Sequence, residues 1–563
     1  MRWRRTPREI AFRLRQEVRN LALLAHPPRL GKRLPMPSTP LTGMPDASEF
    51  AEPLSDTALQ DLAAQIREHR FPILGLTIET GPDIAWRRDY TRAKETGTDY
   101  FRLIPFLDVE RAGDHKIIWE LNRHQHLVVL AQAGELEEIV SQLKSWFREN
   151  PFQRGINWAS ALEVAFRALS WIWVYHLIGD RFPASFRKEF LQQLYWHGWH
   201  IENNLSFYFS PNTHLLGEAV ALHALGFLFP QFPHARLWRE LGLRVVRQQM
   251  DRQVHGDGSH FEQSTYYHVY ALDMFRFTAV LELQSPAYLQ KLAGMVEFRD
   301  AVMGPQRRLP FFGDDDGGRF FQPYGRRDEF GRNGPPPATR LRSRLFPDIG
   351  IAVMVAGPVH IVIDAGPFGP WSSGHSHSDT LSLIVRVGDE EVLIDPGTYT
   401  YAGDPAERDW FRGSAAHNTI RIAGQDQAIL AGPFGWKDQP RVKIHSWSST
   451  ADEDTLGAEC CYAGFTHRRR FLFQKSEATL KVIDEITGPA GEHEIEQFWH
   501  LGSGSARARI ALPETFEQIE SWASSAYGEK HRIPALRLVR RGPLPMRLEA
   551  SINLQVRAAL PAS

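Results

Sequence analysis

From about residue 56 to residue 300, apolar residues recur at three- and four-residue spacing, the period of helices with one buried face. The pattern predicts helices over 117–133, 136–147, 159–177, 186–199, 214–228, 237–254 and 266–283. Their connectors are short and hold Gly, Pro or Asp, so successive helices should lie antiparallel, in a bundle or an (α/α) barrel. Residues 301–345 break the period with Pro305, Pro310, Gly313, Gly317 and the run Pro335-Pro336-Pro337, which marks a domain junction. Beyond it the period falls to two, predicting strands over 349–355, 360–363, 381–387, 391–394, 419–422, 468–473, 478–483, 494–499 and 536–539. Gly and Pro punctuate these strands as in an antiparallel sandwich. The expected fold class is α+β and multidomain: a helical domain over 56–320, then a β-sandwich domain over 340–563.

Residues 1–55 stand apart. Ile10, Leu14, Val18 and Leu21 fall at helical spacing with arginines between them, which predicts an amphipathic helix, either docked on the domain or lying on a surface. Docking on the domain is the expectation, because the apolar stripe is short. Residues 27–55, with six prolines from Pro27 to Pro45, read as an irregular linker.

Composition narrows the function classes. A chain of 563 residues is too long for one core. With 65 basic and 66 acidic residues it lacks the basic excess of a nucleic-acid-binding domain. The basic N-terminus has no continuous apolar core of the signal-peptide kind, and no stretch reaches the ~20 apolar residues of a membrane span, so a cytoplasmic location is expected. Cys460 and Cys461 are adjacent and imply no disulfide framework. Nothing in the composition specifies an oligomeric state.

Candidate chemistry is concentrated in a few stretches. In Gly374-His375-Ser376-His377-Ser378-Asp379, an extended backbone would put His375, His377 and Asp379 on one face, where they could hold a divalent metal or supply a base. Asp395 closes one predicted strand and His417 opens another, so both could join His377 around zinc (Zn2+). Asn212 is a credible cap for the helix near His214, and such an N-terminus can also meet an anionic group. The run Glu262 to His268 holds Tyr266 and Tyr267 near a helix start, where a phenol can be activated for proton transfer, although each tyrosine could equally be a core-edge aromatic. Trp158 begins a stretch in which Glu163 and Arg167 form an i,i+4 pair.

Taken in order, Asn-Thr-His-Leu-Leu-Gly-Glu-Ala (212–219), Asp-Gly-x-x-x-Glu-Gln-Ser-x-x-Tyr-His (257–268), Gly-His-x-His-x-Asp (374–379), Leu-Ile-Asp-Pro-Gly-Thr-Tyr (393–399) and Arg-x-Ser-x-Ala-His-Asn-Thr (412–419) resemble the heparinase II/III family of polysaccharide lyases. The resemblance runs from about residue 115 to 430. It implies an incomplete (α/α) toroid followed by an antiparallel β-sandwich, and β-elimination on an acidic, uronate-containing polysaccharide or oligosaccharide of glycosaminoglycan or alginate-like type. By the same resemblance, Asn212 and His214 would neutralise the uronate carboxylate and Tyr267 would be the catalytic acid, with His375 as partner. His377, Asp395 and His417 would hold a structural zinc, with Asp379 reduced to a support that orients an imidazole. Trp158, Glu218, Glu262, His268 and Arg412, from the same stretches, are expected to bind substrate. Two other functions fit the chain: a glycoside hydrolase using Glu262 with Asp257 or one of Asp314, Asp315 and Asp316, and a non-catalytic carbohydrate-binding protein on the same fold.

Overall fold

A computed structural model describes residues 5–31, 34–50, 54–320, 341–369, 374–505, 509–511 and 516–555. The Pro335-Pro336-Pro337 run lies outside these residues. The chain divides into two compact units: Met1–Arg252 with Tyr270–Leu289 and Gly318–Gly325, and Gln253–Val269 with Gln290–Gly317 and Arg326–Ser563. The second unit therefore takes two segments, 253–269 and 290–317, that sequence periodicity assigns to the helical domain.

The first unit is helical. Its central helix, Ala161–Ile178, is apolar on every side and is covered by Gln125–Ala133, Ala184–Asn204 and Thr213–Leu228. The span 161–181 is long and apolar enough to cross a bilayer, alone in this among the described residues, but it is a core helix, with 89% of its apolar window buried inside the protein. Helices Thr213–Leu228 and Ala235–Gln253 approach closely because Gly226 and Gly242 leave room: a Cβ on either would fall 2.3 or 2.5 Å from a backbone oxygen of the other helix. The helix expected over 117–133 is two helices, His115–Asn122 and Gln125–Ala133. Between them His124 adopts φ 58°, and its Nδ1 accepts the Trp171 indole N–H at 2.9 Å. A left-handed histidine leaves no mark on hydrophobic periodicity.

The N-terminal helix, Pro7–Ala25, is capped by Thr6 and packs on Ala184–Asn204. It docks through its polar side: Asn20 is fully buried, while Ile10, Leu14, Val18 and Leu21 are exposed. The helix is thus docked on the domain with its apolar stripe turned outward.

Among the described residues, the second unit holds three larger antiparallel sheets and a two-stranded one, Ile429–Leu430 with Trp436–Asp438. One has five strands, Arg344–Phe346, Ile351–Ala356, Val359–Asp364, Leu383–Val387 and Glu390–Leu393, paired in chain order. A six-stranded sheet runs from Arg441–Ser449 to Thr479–Thr487 and closes with Met546–Asn553 and Arg509–Ala511. A four-stranded sheet combines Ile420–Ile422, Glu492–His500, Glu529–Pro543 and Glu517–Ala526. Alternating inward residues such as Ile361, Ile363, Leu383, Phe471, Val482 and Ile552 share one core.

Candidate functional site

Within the second unit, residues 263, 313 and 375 come together because Gly313 has no side chain. At φ +68° a Cβ there would lie 2.4 Å from His375 O and 2.6 Å from Gln263 O. Asp314 N–H then donates to His375 O, and Ser264 Oγ to Asp314 O. The same Ser264 Oγ accepts from Tyr267 N–H, so it caps helix Thr265–Leu281 and sets Tyr267 in the first turn. The Tyr267 ring stacks on His375 at 3.7 Å between centroids and 27° between planes. Its hydroxyl lies 3.0 Å from that of Tyr401, whose ring faces the Arg408 guanidinium. Burial raises both phenols far above the usual tyrosine value, and the carboxylates of Asp316 and Asp314 add to it. Of the two tyrosines that follow Asp395, Tyr401 reaches Tyr267; Tyr399 packs on Phe411 instead.

Asp314 is the hub. It is fully buried and takes Arg408 Nη1 and Nη2 at 2.5 and 2.8 Å, His375 Nδ1 at 3.3 Å and His377 Nε2 at 2.9 Å. Burial alone would raise its carboxyl, but Arg408 and the two imidazoles hold it well below the usual range. An ionised carboxylate can only accept, so His375 carries its proton on Nδ1 and His377 on Nε2. On the other side of His375, Glu262 Oε2 stands 3.5 Å from Nε2.

His377, Asp379 and His417 bring ligand atoms within 4.8 Å of one another, all buried. His377 Nδ1, Asp379 Oδ2 and His417 Nε2 have no hydrogen-bond partner, while the second nitrogen of each imidazole is tied to a carboxylate, His377 to Asp314 and His417 Nδ1 to Asp395 at 2.8 Å. Two lone-pair nitrogens and a carboxylate oxygen, backed by outer carboxylates, fit a divalent ion such as zinc. Asp395, expected as a ligand, is tied to His417 Nδ1, and Asp379 offers the third unpartnered atom in its place. The backbone explains the exchange. Residues 374–382 form turns rather than the expected strand, so Asp379 swings into the gap, while Asp395 Oδ1 is engaged by Gly397 N–H. Beneath the trio, Arg469 Nη1 donates to the carbonyls of Leu381 and Asn418 and fixes the loops that carry Asp379 and His417.

In the first unit, Asn212 Oδ1 accepts from His214 N–H and opens helix Thr213–Leu228; both side chains are half-buried. Glu218 is fully buried: Oε2 accepts Ser206 N–H at 2.7 Å and Oε1 the Ser206 hydroxyl at 2.6 Å. It fastens the loop leading to Asn212 rather than touching a ligand. Glu163 pairs with Arg123 at 2.7 Å, not with Arg167, which donates to His197, Asn122 O and Asn157 O.

Three other expected substrate contacts are core residues. Trp158 is buried against Phe152, His197 and His200, with its indole N–H on Asn150 O. His268 is buried against Phe298 and bonded to Met295 O. Arg412 is buried over Trp436 and donates to Gly432 O. Residue type alone does not separate a cleft aromatic or cation from a core one. Conversely, Asp314 and Arg408 are missed by sequence reasoning as parts of a lyase site. The available signal was three consecutive aspartates after an apolar Leu-Pro-Phe-Phe, where an unpaired acid would be costly.

Residues 39–319 match the family model for the heparinase II/III N-terminus, and residues 338–555 that for the heparinase II/III-like C-terminal region. A heparin-sulfate lyase of Pedobacter heparinus is 25% identical over 440 residues, 70% of this chain and 63% of that protein. One of Bacteroides stercoris is 23% identical over 435 residues, 67% of this chain and 62% of that protein. The chain thus spans less than two thirds of the length of these relatives. Among solved structures, a crystal structure of heparinase III superposes with a TM-score of 0.68 at 16% identity, covering 92% of this chain and 88% of that one. A heparan sulfate lyase of Pedobacter heparinus gives 0.56 at 20%, covering 96% and 88%. The shared fold is an incomplete (α/α) toroid followed by an antiparallel β-sandwich. With both family models matched across most of its length, the chain belongs to the heparinase II/III family.

Proposed function

We propose that this protein is a polysaccharide lyase that cleaves a uronate-containing, glycosaminoglycan-type chain by β-elimination. The observation that carries the reading is Tyr267, stacked on His375 and hydrogen-bonded to Tyr401 in a buried cluster. Elimination removes the C5 proton of a uronic acid and expels the oxygen on C4. While the carboxylate stays anionic that proton is too weakly acidic, so donors must stabilise the enolate-like intermediate. The family resemblance gives that role to Asn212 and His214. His375, its Nδ1 proton held by Asp314, has Nε2 to take the C5 proton. Tyr267, kept protonated by burial, returns a proton to the leaving oxygen, with the Tyr401 hydroxyl positioned to share it. The heparin-sulfate lyases it resembles support a sulfated glycosaminoglycan as the substrate class.

The trio His377, Asp379 and His417 is proposed to hold zinc, with Asp314 and Asp395 orienting the imidazoles. When bound, the ion would supply a cross-link among the loops that carry its ligands. Elemental analysis of purified protein tests it; protein free of divalent metal that neither binds added zinc nor melts higher with it would reject the site.

For the activity, the protein is incubated with a panel of uronate polysaccharides and followed by ultraviolet absorbance. Absorbance from 4,5-unsaturated ends is expected. Saturated ends without absorbance would replace the lyase by a hydrolase, and cleavage of none would leave a binding role.

A further inference from the structure

Helix Pro7–Ala25 is held with its apolar side outward. Ile10, Leu14, Val18 and Leu21 are 47, 64, 68 and 50% exposed. On the docked side Asn20 Oδ1 accepts from Gln153, Asn203 and Asn204 at 2.9, 2.6 and 3.0 Å, and Asn20 Nδ2 donates to Asn204 Oδ1 at 2.9 Å. Gln16 donates to Asn203 O, and Glu17 accepts from Tyr100 and pairs with Arg102. Turning the stripe inward would strand this amide cluster, so its hydrogen bonds fix the rotation. A row of large apolar side chains held in water by a specific polar lock calls for an occupant.

The charges along the stripe choose it. At about 100° per residue, Arg8, Arg15 and Arg19 line one edge. All three are exposed, and among the described residues none is in an ion pair. Of the helix's acids, Glu9 lies on the docked side bound by Arg13, and Glu17, bordering the stripe at its other edge, is paired with Arg102. The outward face is therefore apolar and cationic, its one bordering carboxylate neutralised by Arg102. Such a face suits a bilayer interface, where the stripe enters the acyl boundary and arginines reach up to lipid phosphates. A second copy fits less well, since an antiparallel twofold pairing of this face would set the arginine edge against itself.

We infer that Ile10, Leu14, Val18 and Leu21, with Arg8, Arg15 and Arg19, dock this protein on an anionic membrane surface. The test is co-sedimentation of the full chain with phosphatidylcholine vesicles, with and without phosphatidylglycerol. Binding should require the anionic lipid and fall with salt. Leu14→Gln with Val18→Gln should weaken it at least about tenfold, and each of Arg15→Gln and Arg19→Gln about fivefold. These positions are exposed, so circular dichroism and melting should stay unchanged. No binding to anionic vesicles at low salt overturns the inference, as does undiminished binding by the Leu14→Gln/Val18→Gln variant. A concentration-dependent dimer that this variant abolishes would also overturn it, giving the face to self-association.

Discussion

Asp314 and Asp484 are buried carboxylates built alike. Each is fully enclosed and takes two nitrogens of one arginine, Asp314 from Arg408 Nη1 and Nη2 at 2.5 and 2.8 Å and Asp484 from Arg469 Nε and Nη2 at 2.6 and 3.0 Å. Each also meets imidazole, Asp314 from His375 and His377, Asp484 from His467. In both, burial pushes the carboxyl up and the arginine and imidazole partners more than reverse it. What differs is the far side of the network. Arg469 spends Nη1 on the carbonyls of Leu381 and Asn418, and so holds backbone. The imidazoles on Asp314 face a phenol and a metal-like trio. Burial and pKa direction do not separate scaffold from site; the groups beyond the pair do.

The comparison breaks most sharply at the phenol. Tyr267→Phe keeps the stack on His375 and removes the hydroxyl, so kcat on a uronate polysaccharide should fall by about 10²–10⁴-fold with substrate binding and melting preserved. Near-normal turnover would take Tyr267 out of the mechanism and leave His375 as the reacting group tied to Asp314. Next come the two carboxylates themselves. Asp314→Asn and Asp484→Asn each leave an arginine uncompensated, and each should cost about 3–5 kcal/mol in denaturant unfolding. Only Asp314→Asn should lower kcat per folded molecule, by about 10–100-fold. Equal losses of kcat in the two variants would erase the distinction drawn here.

The trio sharpens it further. The proposed zinc site makes Asp379 an inner oxygen and Asp395 an outer orienter, so metal titration should show Asp395→Asn weakening zinc by about 10–100-fold and Asp379→Asn by more. The reverse order would return Asp395 to the ligand position.

Much of this organisation is legible in the residues, and what is not has physical causes. Periods of 3.6 and two separate the helical and β halves, although Ala161–Ile178, predicted with one buried face, is apolar all round. The strand Arg441–Ser449, at the edge of its sheet and largely exposed, carries too little apolar alternation to be read. Periodicity gives Pro7–Ala25 a stripe without saying which side docks, because buried amides can outweigh it. At the site, Tyr267, His375, His377 and His417 come forward through motif resemblance. The hub does not: Asp314, Asp315 and Asp316 are indistinguishable in sequence, and only the fold delivers Arg408 to one of them.

Glu218 supplies the contrast that both aspartates need, a buried carboxyl with no arginine in its hydrogen-bonded grip, and an effect that is read as a slope against pH. Burial pushes it up to about 8 from 4.5, against the opposing pull of the Ser206 hydroxyl and N–H. Between those two pH values the folded chain keeps a proton that the unfolded chain has released. Stability attributable to Glu218 is therefore greatest below pH 4.5, drains as pH rises towards 8, and is flat above it. The slope is at most about 1.4 kcal/mol per pH unit. Glu218→Gln keeps an oxygen for Ser206 N–H and has no proton to lose. Denaturant curves for wild type and Glu218→Gln should then diverge in favour of Gln as pH rises through this window, while the same scan of Asp484→Asn should not favour Asn. A flat difference for Glu218→Gln would mean that this carboxyl is ionised in the folded chain, and that serine donors suffice where the aspartates use arginine.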